Sequence, residues 1–402
     1  MKCVVIGGGV IGTSIAWHLA DLGLAEVVLL ERDRLGSGTT WHSAGNITWK
    51  PNSSHDEAVL YALETIDRLE RSGRQATGWV KTGRMFLAQS QEMLGYLEKL
   101  DGAARERGIA ARWLAPHEAA AHHPLLAPAS VAGIWLNSLS GRVNPADLTS
   151  AYAKAARDAG ARISEQTRAL RLVVRGGRVA GVETTAGLVE ADAVVVAAGL
   201  WSRPLLASAG IAIAQWPCEH FYVIADVAPP LRRETPSFVC PDTLIYGREE
   251  VGAFLVGFFD EDAKTIDPAD LPEPFSFTLM APDWDKVAPY FASACRIFPA
   301  LEAAPIRRFI NGPESFTPDG LPLIGRVPGI PGLLVATAMN SAGVTWSAMT
   351  GEIVAHLLAE KPARFDAAKF DPDRFGTRAG DVEWLKAQAS AIVSLGYRNP
   401  QR

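Results

Sequence analysis

Hydrophobic and polar positions change their period close to the N-terminus. In KCVVIGGGVIGTSIAWHLADLG a short β-branched run gives way to glycines, then to Ile11, Ile15, Leu19 and Leu22 at helical spacing. That pattern predicts strand, turn, helix. AEVVLLERD follows as a second strand ending in Glu31. Further along, LVEADAVVVAAGLWSRPL reads as a hydrophobic strand closing at Ala198 and Gly199, a second close approach to a nucleotide. GLPLIGRVPGIPGLLVATAMNSAGVTWSAMTGEIVAHLL gives a Pro/Gly-rich turn, a buried strand and an NSAG turn leading into an apolar helix, whose positive end could stabilise negative charge. Between these pieces the pattern differs. Residues 86–141 hold the helical stretch QEMLGYLEKLDGAARERG, and 216–304 alternate like strands in FYVIADV, TLIYGREE and GAFLVGFF. The proline-rich run DPADLPEPF reads as a surface loop, with a crossover linker as the alternative.

Gly7, Gly9 and Gly12 satisfy the G-x-G-x-x-G pattern: one glycine for the tight turn, one for close approach of backbone to a pyrophosphate, one for close helix–strand packing. The phosphates then meet the positive end of the helix. Glu31, about 20 residues beyond the turn, is placed to accept from a ribose 2′-hydroxyl, and its charge disfavours a 2′-phosphate. The plain alternative is a glycine turn in some other α/β unit.

Composition narrows the class. With 402 residues, 48% of them hydrophobic, the chain can bury a large core in two or three domains or one interleaved pair. A formal charge of -5 without a basic block offers nothing to nucleic acid or anionic membrane. Cys3, Cys218, Cys240 and Cys295 lie far apart, which fits free thiols in a reducing compartment and no metal site. The N-terminus runs straight into a strand, leaving no room for a cleavable signal, and no apolar run reaches spanning length. A cytoplasmic protein is expected.

These segments, with SGRVNPADLTSAYAKAARDAGARI and EHFYVIADVAPP, resemble the FAD-dependent amine oxidoreductases of the D-amino-acid oxidase superfamily. The nearest branch is the dimethylglycine and sarcosine dehydrogenases, to which TTWHSAG, NGPESFTPDG and NSAG are specific. The likeness covers nearly the whole chain. It implies an α/β fold: a Rossmann-type FAD-binding domain (1–85, 142–215, 305–365) interleaved with an α+β antiparallel-sheet substrate domain (86–141, 216–304), then a C-terminal tail, 366–402, whose plain reading is that it packs on the surface. It implies FAD contacts at Gly7, Gly9, Gly12, Glu31, Arg32, Thr39, Thr40, Trp41, His42, Ala44, Gly45, Ala169, Ala198, Gly199, Trp201, Gly320, Pro322, Gly325, Asn340, Ser341, Ala342, Gly343 and Val344. In that branch the histidine of the Trp-His-x-Ala-Gly turn carries the flavin covalently through its 8α-methyl group, which maps onto His42. A neutral imidazole is a suitable nucleophile for that electron-poor methyl, with Trp41 expected to wall the ring. A hydrogen-bonded structural histidine is the alternative.

The resemblance further implies oxidation of a C–N bond in a small secondary or tertiary amine, an N-methyl amino acid of the dimethylglycine or sarcosine type. The product iminium hydrolyses to an aldehyde and the demethylated amine. His220 and Tyr246 match the branch's substrate-side groups, with a strand histidine and a core aromatic as the plain readings. Arg248 could pair a substrate carboxylate or be a solvated surface arginine. A second aromatic often precedes that arginine in the branch and is missing from YGREE, which leaves the size of the amine open. Oxygen or an electron-transfer flavoprotein would reoxidise the cofactor. Relatives often continue into a folate-binding half, and after...SLGYRNPQR none is expected here. Two other readings stand beside this one: an amino- or imino-acid oxidase with non-covalent FAD, and a flavin-binding electron-transfer subunit of a larger complex. His122-His123 reads as a surface turn, since adjacent residues on a strand face opposite ways. Without a G-x-S-x-G elbow or a Cys-His pair, hydrolase chemistry has no support.

Overall fold

A computed structural model describes residues 1–51, 53–277 and 280–398. Its first layer is a six-stranded sheet with β1 (Lys2–Ile6) near the centre, paired in parallel with β2 (Glu26–Leu30) on one side and Ala193–Val196 on the other. Arg162–Ser164 extends the β2 side in parallel, while Leu333–Thr337, also parallel, and the antiparallel edge strand Leu323–Arg326 extend the other. The central strands are continuous apolar runs because both faces are covered. On one face α1 (Val10–Asp21) packs against helices Pro145–Asp158 and Gly343–Ala359. Over the other lies a three-stranded antiparallel meander, Ala169–Arg175, Arg178–Thr184 and Gly187–Glu190, whose Leu172, Val179 and Val182 meet Val4, Ile6 and Val28.

The second layer is an eight-stranded sheet in the order Ile306–Phe316, Trp216–Ala225, Ala253–Phe258, Ile245–Glu250, Ser237–Cys240, Arg84–Ala88, Gly133–Asn137, Ala111–Leu114. Its pairs are antiparallel except that Arg84–Ala88 runs parallel to Ser237–Cys240, which makes the sheet mixed. Ile306–Phe316 lies at its edge, although 305–365 was expected with the first sheet. Helix Trp284–Ile297 covers one face, against Phe221, Val223, Phe254 and Val256. Helix Gln91–Glu106 sits by Phe86 and Trp135 on the other.

His122-His123 does not form a surface turn. His123 is fully buried, ringed by Phe238, Phe254 and Phe298, because the chain turns inward after the short helix Ala119–His122. The four cysteines are free and buried. Helix Val382–Arg398 packs Leu385, Ala389 and Val393 against Trp216 and Phe316. Among the described residues no helix is long and apolar enough to cross a membrane.

Candidate active site

The glycine turn between β1 and α1 opens onto a cavity of about 640 Å³. Gly7 holds φ +112, and a Cβ there would stand 2.3 Å from the Ala197 carbonyl oxygen. A Cβ on Gly12 would lie 1.8 Å from the Gly7 oxygen, so glycine is required for α1 to sit against the strand. Gly9 differs: its Cβ would meet only the Thr40 hydroxyl, at 3.0 Å, and would otherwise point into open space. That hydroxyl accepts from the Val10 amide at 3.1 Å, holding the first turn of α1 in register. Glu31 ends the second strand with Oε2 accepting from Gly8 N (2.6 Å) and Oε1 from Asp33 N (2.8 Å). Burial raises its pKa, and the two amides oppose that rise. Each oxygen keeps lone-pair capacity for a ribose hydroxyl. The cradle therefore fits a dinucleotide.

Arg32, Thr39, Thr40, Ala169, Ala198, Gly199, Trp201, Asn340, Ser341, Gly343 and Val344 also line this cavity. The Arg32 guanidinium lies 4.5 Å from the Trp201 ring centre. Ala338, Asn340 and Ser341 take left-handed backbone angles, φ 55, 48 and 62, in the turn that starts helix Gly343–Ala359. Strain of this kind persists only where surroundings enforce it, and here Asn340 Oδ1 accepts from Thr317 N at 2.9 Å. The proline-rich run has two sides. Most of Asp267–Pro274 is exposed or half-exposed, while Phe275 and Phe277 turn inward onto Leu200 and Trp201 and close the cavity.

His42 ends the short helix Thr39–His42 and is buried beside Phe277, with ring centres 5.2 Å apart. Gly312 gives it room, since a Cβ there would come within 2.8 Å of the imidazole. Among the described residues neither ring nitrogen has a hydrogen-bond partner of good geometry, and Glu314 Oε1 lies 3.9 Å from Nδ1. Burial lowers the histidine's pKa, with Glu314 pulling the other way. Glu314 in turn accepts from the Ser341 hydroxyl.

A second, smaller cavity of about 110 Å³ adjoins the first and shares Ser43, Glu314, Ser341 and Val344 with it. His42, Ala44, Gly45 and Ala342 line its near side. His220 and Tyr246, on separate strands of the eight-stranded sheet, meet in it: Nε2 is 3.0 Å from the phenolic oxygen and the ring planes are nearly parallel, 5° apart. Gly257 is the floor under Tyr246, because a Cβ there would overlap the phenol ring at 2.1 Å.

Several expected site residues stand elsewhere. Arg248 lines neither cavity; its guanidinium is engaged by Ala44 O (2.5 Å), Glu249 O (2.6 Å) and Glu250 Oε2 (2.6 Å). Trp41 is an exposed side chain outside both cavities. Gly320, Pro322 and Gly325 face the C-terminal segment, at Ile392, Arg374 and Pro372. Conversely, Glu314, Phe277, Lys50, His55 and Arg84 line the cavities without having been anticipated. Of these only Glu314 sits in a quoted motif, NGPESFTPDG.

A largely parallel sheet with this glycine cradle, whose cavity adjoins one holding a buried histidine–tyrosine pair, defines a dinucleotide-dependent oxidoreductase. Residues 2–357 match the family described as FAD dependent oxidoreductase, and the chain belongs to it. Among curated proteins it is 33% identical to 4-methylaminobutanoate oxidase (formaldehyde-forming) of Paenarthrobacter nicotinovorans, over 99% of this chain and 48% of that one. It is 31% identical to mitochondrial sarcosine dehydrogenase of Mus musculus, over 98% and 43%. The chain thus spans about half the length of these relatives. Among solved structures, L-proline dehydrogenase from P. horikoshii superposes with a TM-score of 0.82 at 26% identity, covering 93% of this chain and 97% of that one.

Proposed function

We propose that the protein oxidises a C–N bond of a small secondary or tertiary amine carrying an N-methyl group, with FAD held covalently through His42. The observation that carries this reading is the adjacency of the two cavities: the buried His220–Tyr246 pair lines the smaller one, which shares Glu314 and Ser341 with the wall of the larger. The names of the relatives, an oxidase of a methylamino acid and a sarcosine dehydrogenase, support the same substrate type. FAD held in the glycine cradle would supply a hydride acceptor for the carbon beside the substrate nitrogen. For that the nitrogen must be unprotonated, and the residues of this chain supply the means. His220 takes the proton from the amine, and the Tyr246 hydroxyl at 3.0 Å fixes the imidazole's orientation. Walls such as Phe259 exclude water until the iminium has formed. Water then splits it to formaldehyde and the demethylated amine. His42, buried and with its pKa lowered by that burial, would hold the flavin at its methyl group.

Two measurements test the reading. Anaerobic addition of a panel of N-methyl amines should bleach the bound flavin, and a panel that leaves it yellow would overturn the oxidation. Intact mass under denaturing conditions should show one added FAD in the wild type and none in His42→Ala, which should still fold and bind FAD that acid releases. Wild-type protein with stoichiometric FAD but no added mass would return His42 to a structural role.

A further inference from the structure

Glu314 is a buried carboxylate beside His42 to which the chemistry proposed above gives no part. Strand register explains how the two meet. In the pairing of Ile306–Phe316 with Trp216–Ala225, Gly312 stands opposite His220 and Glu314 opposite Cys218. Opposite residues of a strand pair point the same way, and so do residues two apart, so His220, Gly312 and Glu314 share one face. Gly312 leaves a gap on that face, and the His42 imidazole fills it: a Cβ on Gly312 would stand 2.8 Å from Cδ2 and 2.9 Å from Nε2. The Thr39 hydroxyl, donating to Pro313 O at 3.2 Å, pins the short helix Thr39–His42 to the same strand. With Nε2 over Gly312, Nδ1 is turned toward Glu314 Oε1, 3.9 Å away and so about 1 Å beyond hydrogen-bond length. The carboxylate is itself held. Its Oε2 accepts from the Ser341 hydroxyl, Asn340 N donates to Ser315 O at 3.2 Å, and the turn carrying Asn340 and Ser341 leads into helix Gly343–Ala359, whose positive end favours a negative charge there.

We propose that Glu314 is a positioning residue for His42: its carboxylate keeps the imidazole hydrogen on Nδ1, which leaves the Nε2 lone pair free to bond the flavin. This rests on the covalent-attachment reading and adds the group that prepares the histidine for it. A neutral imidazole carries its hydrogen on one nitrogen at a time, and the acceptor beside the ring decides which. Joining Nε2 to the methyl carbon makes one N–C bond, breaks one C–H bond and releases the Nδ1 proton; two electrons are left over, which dioxygen takes up together with both protons as hydrogen peroxide. Glu314 is placed to receive the Nδ1 proton as Nε2 gives up its lone pair. Burial by itself lowers the histidine's pKa, and Glu314 opposes that effect, as does the Pro313 carbonyl. His220, on the same face, adds to the lowering. The strand thus offers the ring two acceptors, one charged and one neutral, and the charged one is the stronger.

The test follows attachment directly and needs no turnover. Full-length chain made in riboflavin-limited cells is mixed with FAD in air, and the gain in intact mass under denaturing conditions is followed with time. Glu314→Gln, which keeps the size of the side chain and removes its charge, should slow attachment at least about tenfold. Glu314→Asp should recover part of the rate. Attachment at the wild-type rate in Glu314→Gln would overturn the proposal. The second readout is the imidazole itself. Chain isotope-labelled at its histidine nitrogens and loaded with an FAD that lacks the 8-methyl group cannot form the link. In its nitrogen resonances His42, assigned by comparison with His42→Ala, should hold its ring proton on Nδ1 in the wild type and share it between both nitrogens in Glu314→Gln. An unchanged Nδ1 proton in the variant would give the fixing to the Pro313 carbonyl and overturn the role of Glu314. Wild-type chain that holds stoichiometric FAD and never gains its mass would instead defeat the covalent reading, and the nitrogen resonances alone then decide whether Glu314 places the ring hydrogen.

Discussion

His123 shows how one buried side chain sets a pH limit on the fold. Its ring centre lies 5.0 to 6.1 Å from those of Phe298, Phe254 and Phe238, neither nitrogen has a hydrogen-bond partner among the described residues, and burial lowers its pKa to about 3. The unfolded chain takes up a proton near 6.5, which the folded protein refuses until far lower pH. The contribution is therefore whole above 6.5 and is lost as pH falls, by at most about 1.4 kcal/mol per pH unit. His123→Phe should flatten the acid limb of melting temperature against pH, with a larger gain at pH 5 than at pH 7. A uniform shift across that range would show the ring's titration to be irrelevant. Tyr246→Phe asks a functional question at the same scale. The ring still packs over Gly257, so melting should barely change, while anaerobic flavin reduction should slow about tenfold or more through loss of the hydroxyl facing His220. An unchanged rate would make Tyr246 a packing residue. Single residues of this site differed in how far the sequence exposed them. His42, His220 and Tyr246 sit in segments whose resemblance pointed to them. Lys50 and Arg84 lie in TWKPN and TGRMF, which carry no local mark, because they reach one cavity only through the tertiary fold, Arg84 by its strand register and Lys50 from the loop after Asn46–Ile47.

At the scale of elements, the glycine turn separates two jobs that the sequence pattern merges. Gly12→Ala should prevent α1 from seating on its strand and reduce soluble protein, since the clash is with backbone at 1.8 Å. Gly9→Ala should leave the apoprotein's melting temperature nearly unchanged and weaken FAD retention, because its Cβ meets only the Thr40 hydroxyl. Equal loss of stability in both variants would contradict that division. The strand–turn–helix unit was legible because its period changes sharply. The meander Ala169–Glu190 was not, because its first strand is exposed along most of its length and shows little apolar alternation. Strands Arg84–Ala88 and Gly133–Asn137 are buried on both faces, and short apolar runs of that kind lack a readable period. The edge strand Ile306–Phe316 joined the second sheet through its long pairing with Trp216–Ala225, a contact between distant segments that no local pattern announces.

Across the whole molecule, the chain passes back and forth between the two sheets, so neither sheet is built from one continuous stretch. β1 and β2 share the first sheet with Leu323–Arg326 and Leu333–Thr337, and Arg84–Ala88 shares the second with Ile306–Phe316. Backbone continuity is therefore a poor guide to what stays together. A protease that cuts once in the exposed run Asp267–Pro274 would make two pieces, each holding strands of both sheets and neither able to bury its own apolar faces alone. The nicked protein should migrate as one species on a native column, separate into two bands only in detergent, and keep its yellow colour. The same weave makes that run a tolerable place to open new termini by circular permutation, with the old ends joined by a flexible linker.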